Sequence, residues 1–198
     1  GEDTVKVGNR VVRPRNIADL TLAVNKPTGL ICSHRDPHNL KTVYDLLPKS
    51  LRKHRLLCAG RLDKDSEGLV ILTSDGKLAN QLMHPSGLIE KRYRVTLTKP
   101  FPAERIRLLC RGVNVDGELL KVEQARVTGS AEMVSSPDVE IRMHHGKNRE
   151  IRRLFSTLGY TVKRLRRYQV GSFSLCGFPL RGVKVLSMKE INQLLYID

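Results

Sequence analysis

Asp63 lies in Gly60-Arg61-Leu62-Asp63, at the head of a polar, charged loop over residues 60–68 that runs into an apolar stretch, 69–73. A carboxylate on a tight loop just before a buried strand is placed to act on a substrate. Aspartate is short, so its reach is set by the backbone. Neighbouring cations favour its ionised form, as a nucleophile or base requires. The plainer reading is a surface ion pair between Arg61 and Asp63. Tyr93 lies in Glu90-Lys91-Arg92-Tyr93-Arg94-Val95. An aromatic ring amid basic residues can stack on a base while its neighbours bind phosphates, although a core tyrosine also fits. The third segment is His144-His145-Gly146-Lys147-Asn148-Arg149-Glu150-Ile151-Arg152-Arg153-Leu154. A helix burying Ile151, Leu154, Phe155 and Leu158 leaves Arg149, Arg152 and Arg153 on its flanks and exposed face, where a guanidinium can grip a carboxylate or phosphate. Lys163, Arg164, Arg166 and Arg167 follow with almost no acid nearby, a footprint for a nucleic-acid backbone.

The whole composition points the same way. Against 20 Asp+Glu stand 35 Lys+Arg, a formal charge of +15 that exceeds what solubility needs and predicts attraction to a polyanion. An anionic membrane fits less well, because no basic amphipathic helix with a bulky apolar face stands out. No apolar run approaches the roughly 18 residues that span a bilayer, and no charged-then-apolar leader opens the chain, so a cytoplasmic location is expected. Residue 1 is Gly, which reads as a piece of something longer. Cys32, Cys58, Cys110 and Cys176 are widely spaced and contain no C-x-x-C pair, so buried free thiols are expected rather than a zinc site. Cys32, His34 and His38 lie close together, but incidental histidines on a loop are the simpler account. No phosphate-cradling glycine motif of the nucleotide-binding kinds occurs.

The elements that must position these residues are short and mixed. Val5, Val7, Val11 and Val12 flank Gly8-Asn9, predicting a hairpin within residues 1–15, broken by Pro14. Strands are expected over 19–23, 30–32, 56–58, 69–73, 91–98, 113–115, 122–127, 139–143, 161–165, 173–175 and 183–186. Helices are expected over 42–47, after the Asp75 cap to Pro85, over 103–112, and from Ile151 to Gly159. Residues 49–55 read as a basic loop. Strands and helices without βαβα alternation predict an α+β fold with a mixed, largely antiparallel sheet and flanking helices.

Five segments in order then carry a resemblance: Asn25-Lys26-Pro27-x-Gly29, Gly60-Arg61-Leu62-Asp63-x-x-x-x-Gly68-Leu69, Thr73-x-Asp75-Gly76, Lys91-x-Tyr93, and Gly146-Lys147-Asn148-Arg149-Glu150-Ile151-Arg152-Arg153. With Leu82-Met83-His84-Pro85 between them, the chain resembles the RsuA-like branch of the pseudouridine synthases from about Leu20 to about Leu186. The resemblance implies a pseudouridine synthase-like catalytic fold in two subdomains over residues 16–198. Residues 1–15 would be the remnant or linker of a missing N-terminal S4-type RNA-binding module. It implies isomerisation of uridine to pseudouridine in ribosomal RNA, with no cofactor and no metal. Asp63 matches the family's catalytic aspartate, Tyr93 the tyrosine packing on the target base, and Arg152 the basic residue paired with the aspartate. Arg61 matches a loop arginine that helps flip the base, and Leu154 an apolar wall position. Lys26, Lys147, Arg149, Arg153, Lys163, Arg164, Arg166 and Arg167 are expected to contact RNA. Glu150 departs from the Gln that many relatives carry. The expected partner is ribosomal RNA or a pre-ribosomal particle, met by a monomer and without a membrane. Two other readings are a non-catalytic RNA-binding or ribosome-assembly factor and a metal-dependent nuclease. Binding alone needs no carboxylate among phosphates, and Asp63 has only Asp65 and Glu67 beside it to share a metal.

Overall fold

The computed structural model describes residues 5–7, 10–12, 19–34, 40–129 and 134–196. Strands β1 (Val5–Val7) and β2 (Arg10–Val12) pair antiparallel as a sheet of their own, with Val5 opposite Val12. The turn expected at Gly8-Asn9 and the break at Pro14 lie outside the described residues. Then follow β3 (Thr21–Lys26), a 3-10 turn (Val43–Leu46), α1 (Lys49–Arg52), β4 (Leu57–Ala59), β5 (Glu67–Thr73), α2 (Gly76–Met83) and β6 (Lys91–Pro102). The second half carries α3 (Ile106–Arg111), the hairpin β7 (Val113–Val115) and β8 (Glu118–Leu120), β9 (Gln124–Val127) and β10 (Ser135–Met143). It ends with α4 (Glu150–Thr157), β11 (Val162–Val170), β12 (Phe173–Ser174), β13 (Val183–Val185) and α5 (Met188–Leu194).

Nine strands form one sheet in the order β13-β3-β5-β11-β6-β10-β9, with β4 also on β5 and β12 also on β11. Among these pairings β5–β11 alone is parallel. The fold is therefore α+β with the mixed, largely antiparallel sheet expected. β5 is buried along its whole length because the sheet is covered on both faces there. Val70 and Leu72 join Leu22, Val24, Tyr93, Val95, Leu154 and Phe155 in one apolar core. Leu69 and Ile71 point the other way, into a second core with Leu78 and Leu82 of α2 and Leu194 of α5. On β6 the period-two pattern holds, burying Lys91, Tyr93, Val95 and Leu97 on one side.

Several elements differ from expectation for local reasons. Residues 49–52 form a helical turn instead of loop, steadied by Arg52, which donates to Leu47 O at 2.8 Å and Asp45 O at 2.7 Å. The unanticipated α5 begins with a capping box: Ser187 N–H donates to Glu190 at 3.0 Å, and Glu190 N–H to Ser187 Oγ at 3.4 Å. β5 starts two residues early because Glu67 and Gly68 already pair with Arg166 and Arg167 of β11. The α2 cap is as expected, Asp75 accepting from Lys77 N–H at 2.8 Å and Leu78 N–H at 3.2 Å.

At the parallel seam Gly68 sits at φ +112°, and a Cβ there would lie 2.0 Å from Arg167 O. No side chain fits that gap, and the backbone angle itself disfavours one. Gly68→Ala should lower unfolding free energy by at least about 3 kcal/mol in urea denaturation. Gly76→Ala, at a helix start with nothing within 4 Å, should stay close to wild type. Equal stability of the two variants would mean that the seam is not packed as described.

Candidate active site

The loop between β4 and β5 carries Asp63, and its backbone is strapped down by buried cations. Lys26, at the end of β3, is fully buried. Its ammonium donates to Asp63 O at 3.0 Å, Ser66 O at 2.6 Å and Pro27 O at 3.2 Å. Arg167 of β11, 2% exposed, donates through Nε to Leu69 O at 2.8 Å and through Nη2 to Gly60 O at 2.6 Å. It thereby holds both ends of the loop. Gly29 N–H donates to Lys64 O at 2.7 Å, and Arg152 Nη2 to Asp65 O at 2.9 Å. These bonds satisfy carbonyls that a loop entering a core would otherwise leave bare. Burial pushes the Lys26 ammonium below its ordinary pKa range, an effect opposed by Cys32 and by the carboxylates of Asp63 and Asp65.

Above this scaffold lies a cleft of about 570 Å³. Asp63, Arg61, Lys64 and Ser66 line it from the loop, and Lys91 and Tyr93 from β6. Lys147, Arg149 and Ile151 close it from the start of α4. The Asp63 side chain is one-third exposed, at 33%, so its carboxylate opens to the cleft. Tyr93 is 6% exposed, a core residue that also forms cleft wall. The core reading of this tyrosine thus holds, and its place in the cleft wall is the one that stacking would need.

The cations divide differently from expectation. The guanidinium in ion-pair range of Asp63 is that of Arg149, at 3.8 Å. Arg149 makes its closer pair with Asp65, at 3.0 and 2.9 Å, from a left-handed backbone at φ +46°. Arg152, expected against Asp63, meets Asp65 instead, Nε to Oδ2 at 3.3 Å, and donates to Val162 O at 3.0 Å. Asp65 is thus the hub between the loop and α4. The hydrogen bond from Arg149 is the main reason its carboxyl titrates below the usual range.

Lys26 and Arg167, expected to meet RNA, are buried clamps on the loop, and Arg167 also contributes to the cleft lining. Leu154, expected in the pocket wall, is fully buried in the core, and Ile151, one turn earlier, faces the cleft. Arg153 bonds Glu118 at 2.9 Å and ties α4 to the β7–β8 hairpin. Lys147 pairs with Glu118 at 3.0 Å at the cleft edge. Arg164 bonds Glu67 at 2.7 Å, Lys163 is exposed and Arg166 half-buried. Arg61 is exposed at the mouth and makes no ion pair among the described residues. His34 stacks on Tyr44 with ring centroids 4.1 Å apart, and His38 lies outside the described residues.

Three further cleft residues stand outside the set that the sequence singled out as catalytic or RNA-binding. Lys91 donates to His144 O at 2.6 Å and Ile89 O at 3.2 Å, and burial lowers its pKa to about 8. Its signal was the two-residue spacing from Tyr93 on one strand, which puts both on the same face. Glu150, at the departure from Gln, accepts from Lys147 N–H at 2.8 Å and bonds His145 Nδ1 at 3.0 Å, ordering the turn into α4. Cys32 forms part of the wall, and Leu62 N–H donates to its sulfur at 3.5 Å.

A carboxylate on a cation-clamped loop thus shares one cleft with a tyrosine, and Arg61 and Arg149 also line it. The family model described as RNA pseudouridylate synthase matches residues 20–157, and the chain belongs to that family. It is 38% identical over 174 residues to ribosomal large subunit pseudouridine synthase B of Vibrio cholerae serotype O1, covering 87% of this chain and 53% of the relative. To the dual-specificity RNA pseudouridine synthase RluF of Escherichia coli (strain K12) it is 36% identical over 193 residues, covering 97% and 63%. The chain thus spans about half to two-thirds of the length of these curated relatives. Among solved structures, one titled crystal structure of pseudouridylate synthase superposes with a TM-score of 0.78 at 28% identity, covering 93% of this chain and 76% of that one.

The clamp on the loop has a thermodynamic signature. Lys26→Met leaves two loop carbonyls, Asp63 O and Ser66 O, and the neighbouring Pro27 O without their donor. It should lower unfolding free energy by about 2–3 kcal/mol in urea, where exposed Lys163→Met should be near neutral. Equal stability of the two variants would show that the ammonium does not hold the loop.

Proposed function

We propose that the chain isomerises uridine to pseudouridine in ribosomal RNA, with Asp63 as the catalytic carboxylate. The observation that carries this reading is the Asp63 carboxylate open to the Tyr93 cleft while its backbone is fixed by Lys26. The reaction breaks the N1–C1′ bond, turns the freed uracil and joins C5 to C1′; the C5 hydrogen leaves as a proton and N1 takes a proton up. Nothing is oxidised overall and no group comes from outside, so the protein's tasks are to extrude the uridine, hold the base and act on one bond. Extrusion costs a few kcal/mol, which stacking and cationic contacts must offset. The ring of Tyr93, with Leu62, Ile151 and Leu165 in the cleft wall, supports a flat apolar slot for uracil. Arg61, Lys64 and Arg149 at the cleft supply positive charge where the flanking phosphates would lie. Enclosure keeps the detached base from escaping to water. Asp63 acts as nucleophile or as the base that removes a sugar proton. In either role it must be an anion held at fixed reach, which is what the strapped loop supports. Arg152 and Asp65 act on this reading by positioning the loop rather than by touching the base. The names of the two relatives, both pseudouridine synthases and one named for the ribosomal large subunit, favour large-subunit RNA as substrate. We place the activity in the cytoplasm and in a single copy of the chain.

The test is tritium release from RNA carrying 5-tritiated uridine. The wild-type chain, given large-subunit RNA, should release tritium to water. Asp63→Asn, nearly isosteric but unable to act as an anion, should release none above background while melting like wild type. Turnover by Asp63→Asn in a preparation free of wild-type enzyme would remove Asp63 from the central role.

A further inference from the structure

Two thiols lie in the cleft wall, and the proposed chemistry uses neither. Cys32 follows the bridge that pairs Ile31 with Thr42, and Cys58 is the middle residue of β4, two residues before Gly60. Both line the same cleft as Asp63, and Cys58 packs against the core cluster that contains Cys32. Cys32 is 8% exposed and its sulfur accepts the Leu62 N–H at 3.5 Å. All four cysteines are free thiols.

We propose that Cys32 and Cys58 are a modification site: a dithiol that small peroxides oxidise to a disulfide inside the cleft. Geometry gives each sulfur its part. The Cys32 sulfur receives a backbone N–H from the catalytic loop and feels the positive charges of Lys26 and Arg167. Such surroundings stabilise a thiolate, the species that attacks oxidants. The interaction with Cys58 holds the Cys32 thiol below its ordinary range, and the same interaction together with burial pushes Cys58 up. The pair therefore holds one nucleophilic sulfur beside one protonated partner, the arrangement of an attacking and a resolving cysteine. With hydrogen peroxide, the Cys32 thiolate takes one oxygen and breaks the O–O bond, giving the sulfenic acid and, with one proton, a molecule of water. The Cys58 sulfur then attacks the Cys32 sulfur. The S–O bond breaks, and the hydroxyl leaves with the Cys58 proton as a second water. Peroxide gains the two electrons that the thiols lose. A dithiol reductant reverses the reaction by exchange. The linked sulfurs would join the segment before Gly60 to the segment after β3, directly under the loop that carries Asp63.

The inference does not depend on the proposed reaction, because mass reads it without turnover. The starting protein is the full chain with Cys110→Ser and Cys176→Ser, leaving this pair alone. Hydrogen peroxide should remove two hydrogens from the intact mass, dithiothreitol should restore them, and proteolysis should yield one peptide joining Cys32 to Cys58. Adding Cys58→Ser should stop the reaction at the sulfenic acid, so that dimedone labels Cys32. Adding Cys32→Ser should leave Cys58 unlabelled. An unchanged mass after peroxide with the fold intact, or dimedone labelling of Cys58 in the Cys32→Ser chain, would overturn the assignment.

Discussion

The parallel pairing of β5 with β11, sealed by the side chain of Arg167, is the constraint on which the rest of this structure depends. An almost fully buried guanidinium must be paired or it costs several kcal/mol. Arg167 finds its acceptors in Gly60 O and Leu69 O, the two carbonyls that bracket the loop bearing Asp63. The backbone approach at Gly68 leaves no space for a Cβ, so the strands meet closely there. The two antiparallel halves of the sheet join at this seam, and two apolar cores lie against the sheet. The loop bearing Asp63 is thus an extension of a strand buried along its whole length, which gives a short side chain a fixed reach.

Charge does a second job around the same loop. Lys26 and Arg152 donate to loop carbonyls, and Arg149 and Arg152 bind the Asp65 carboxylate. One acidic residue is consumed in holding the helix α4 to the loop, and another, Asp63, keeps a one-third exposed carboxylate toward the cleft. The chain's positive excess is therefore split. Part is buried as internal wiring, and part, including Arg61 and Lys163, remains exposed. Only the outer part contributes to salt-sensitive binding of a nucleic acid.

Much of this was legible in the sequence wherever a local period decided the outcome. Tyr93, Val95 and Leu97 alternate on β6 because one face is buried. Ile151, Leu154 and Phe155 recur at helical spacing on α4. Asp75 marks the start of α2 because its side chain accepts the first free N–H groups. α5 was overlooked although Ser187-x-x-Glu190 is a capping box, since its buried face is reduced to Leu194 with Ile191 beside it. The parallel seam was not legible, because Gly68 and Arg167 are distant in the chain and no local pattern encodes their pairing. Nor could the cations be sorted. Lys26, Arg152 and Arg167 advertise charge, but whether a cation meets a phosphate or a carbonyl is set by burial, which only the tertiary fold supplies. Arg149 and Arg152 lie three residues apart, on one flank of the helix start, so both can face the same acidic loop. Arg149 reaches Asp63 and Asp65 from a left-handed backbone, and Arg152 reaches Asp65 from within the helix.

The most direct measurement of the central claim is a crystal structure of the Asp63→Asn chain bound to a uridine-containing fragment of large-subunit RNA. The account predicts one uridine turned out of its stack into the cleft, its base against the Tyr93 ring, and the substituted amide at position 63 within reach of the ribose or the glycosidic bond. It also predicts that Lys26 and Arg167 remain on their loop carbonyls while Arg61 and Lys64 approach the backbone. A complex in which the RNA lies on another face with the cleft empty, or in which the flipped base sits beyond the reach of that amide, would contradict it.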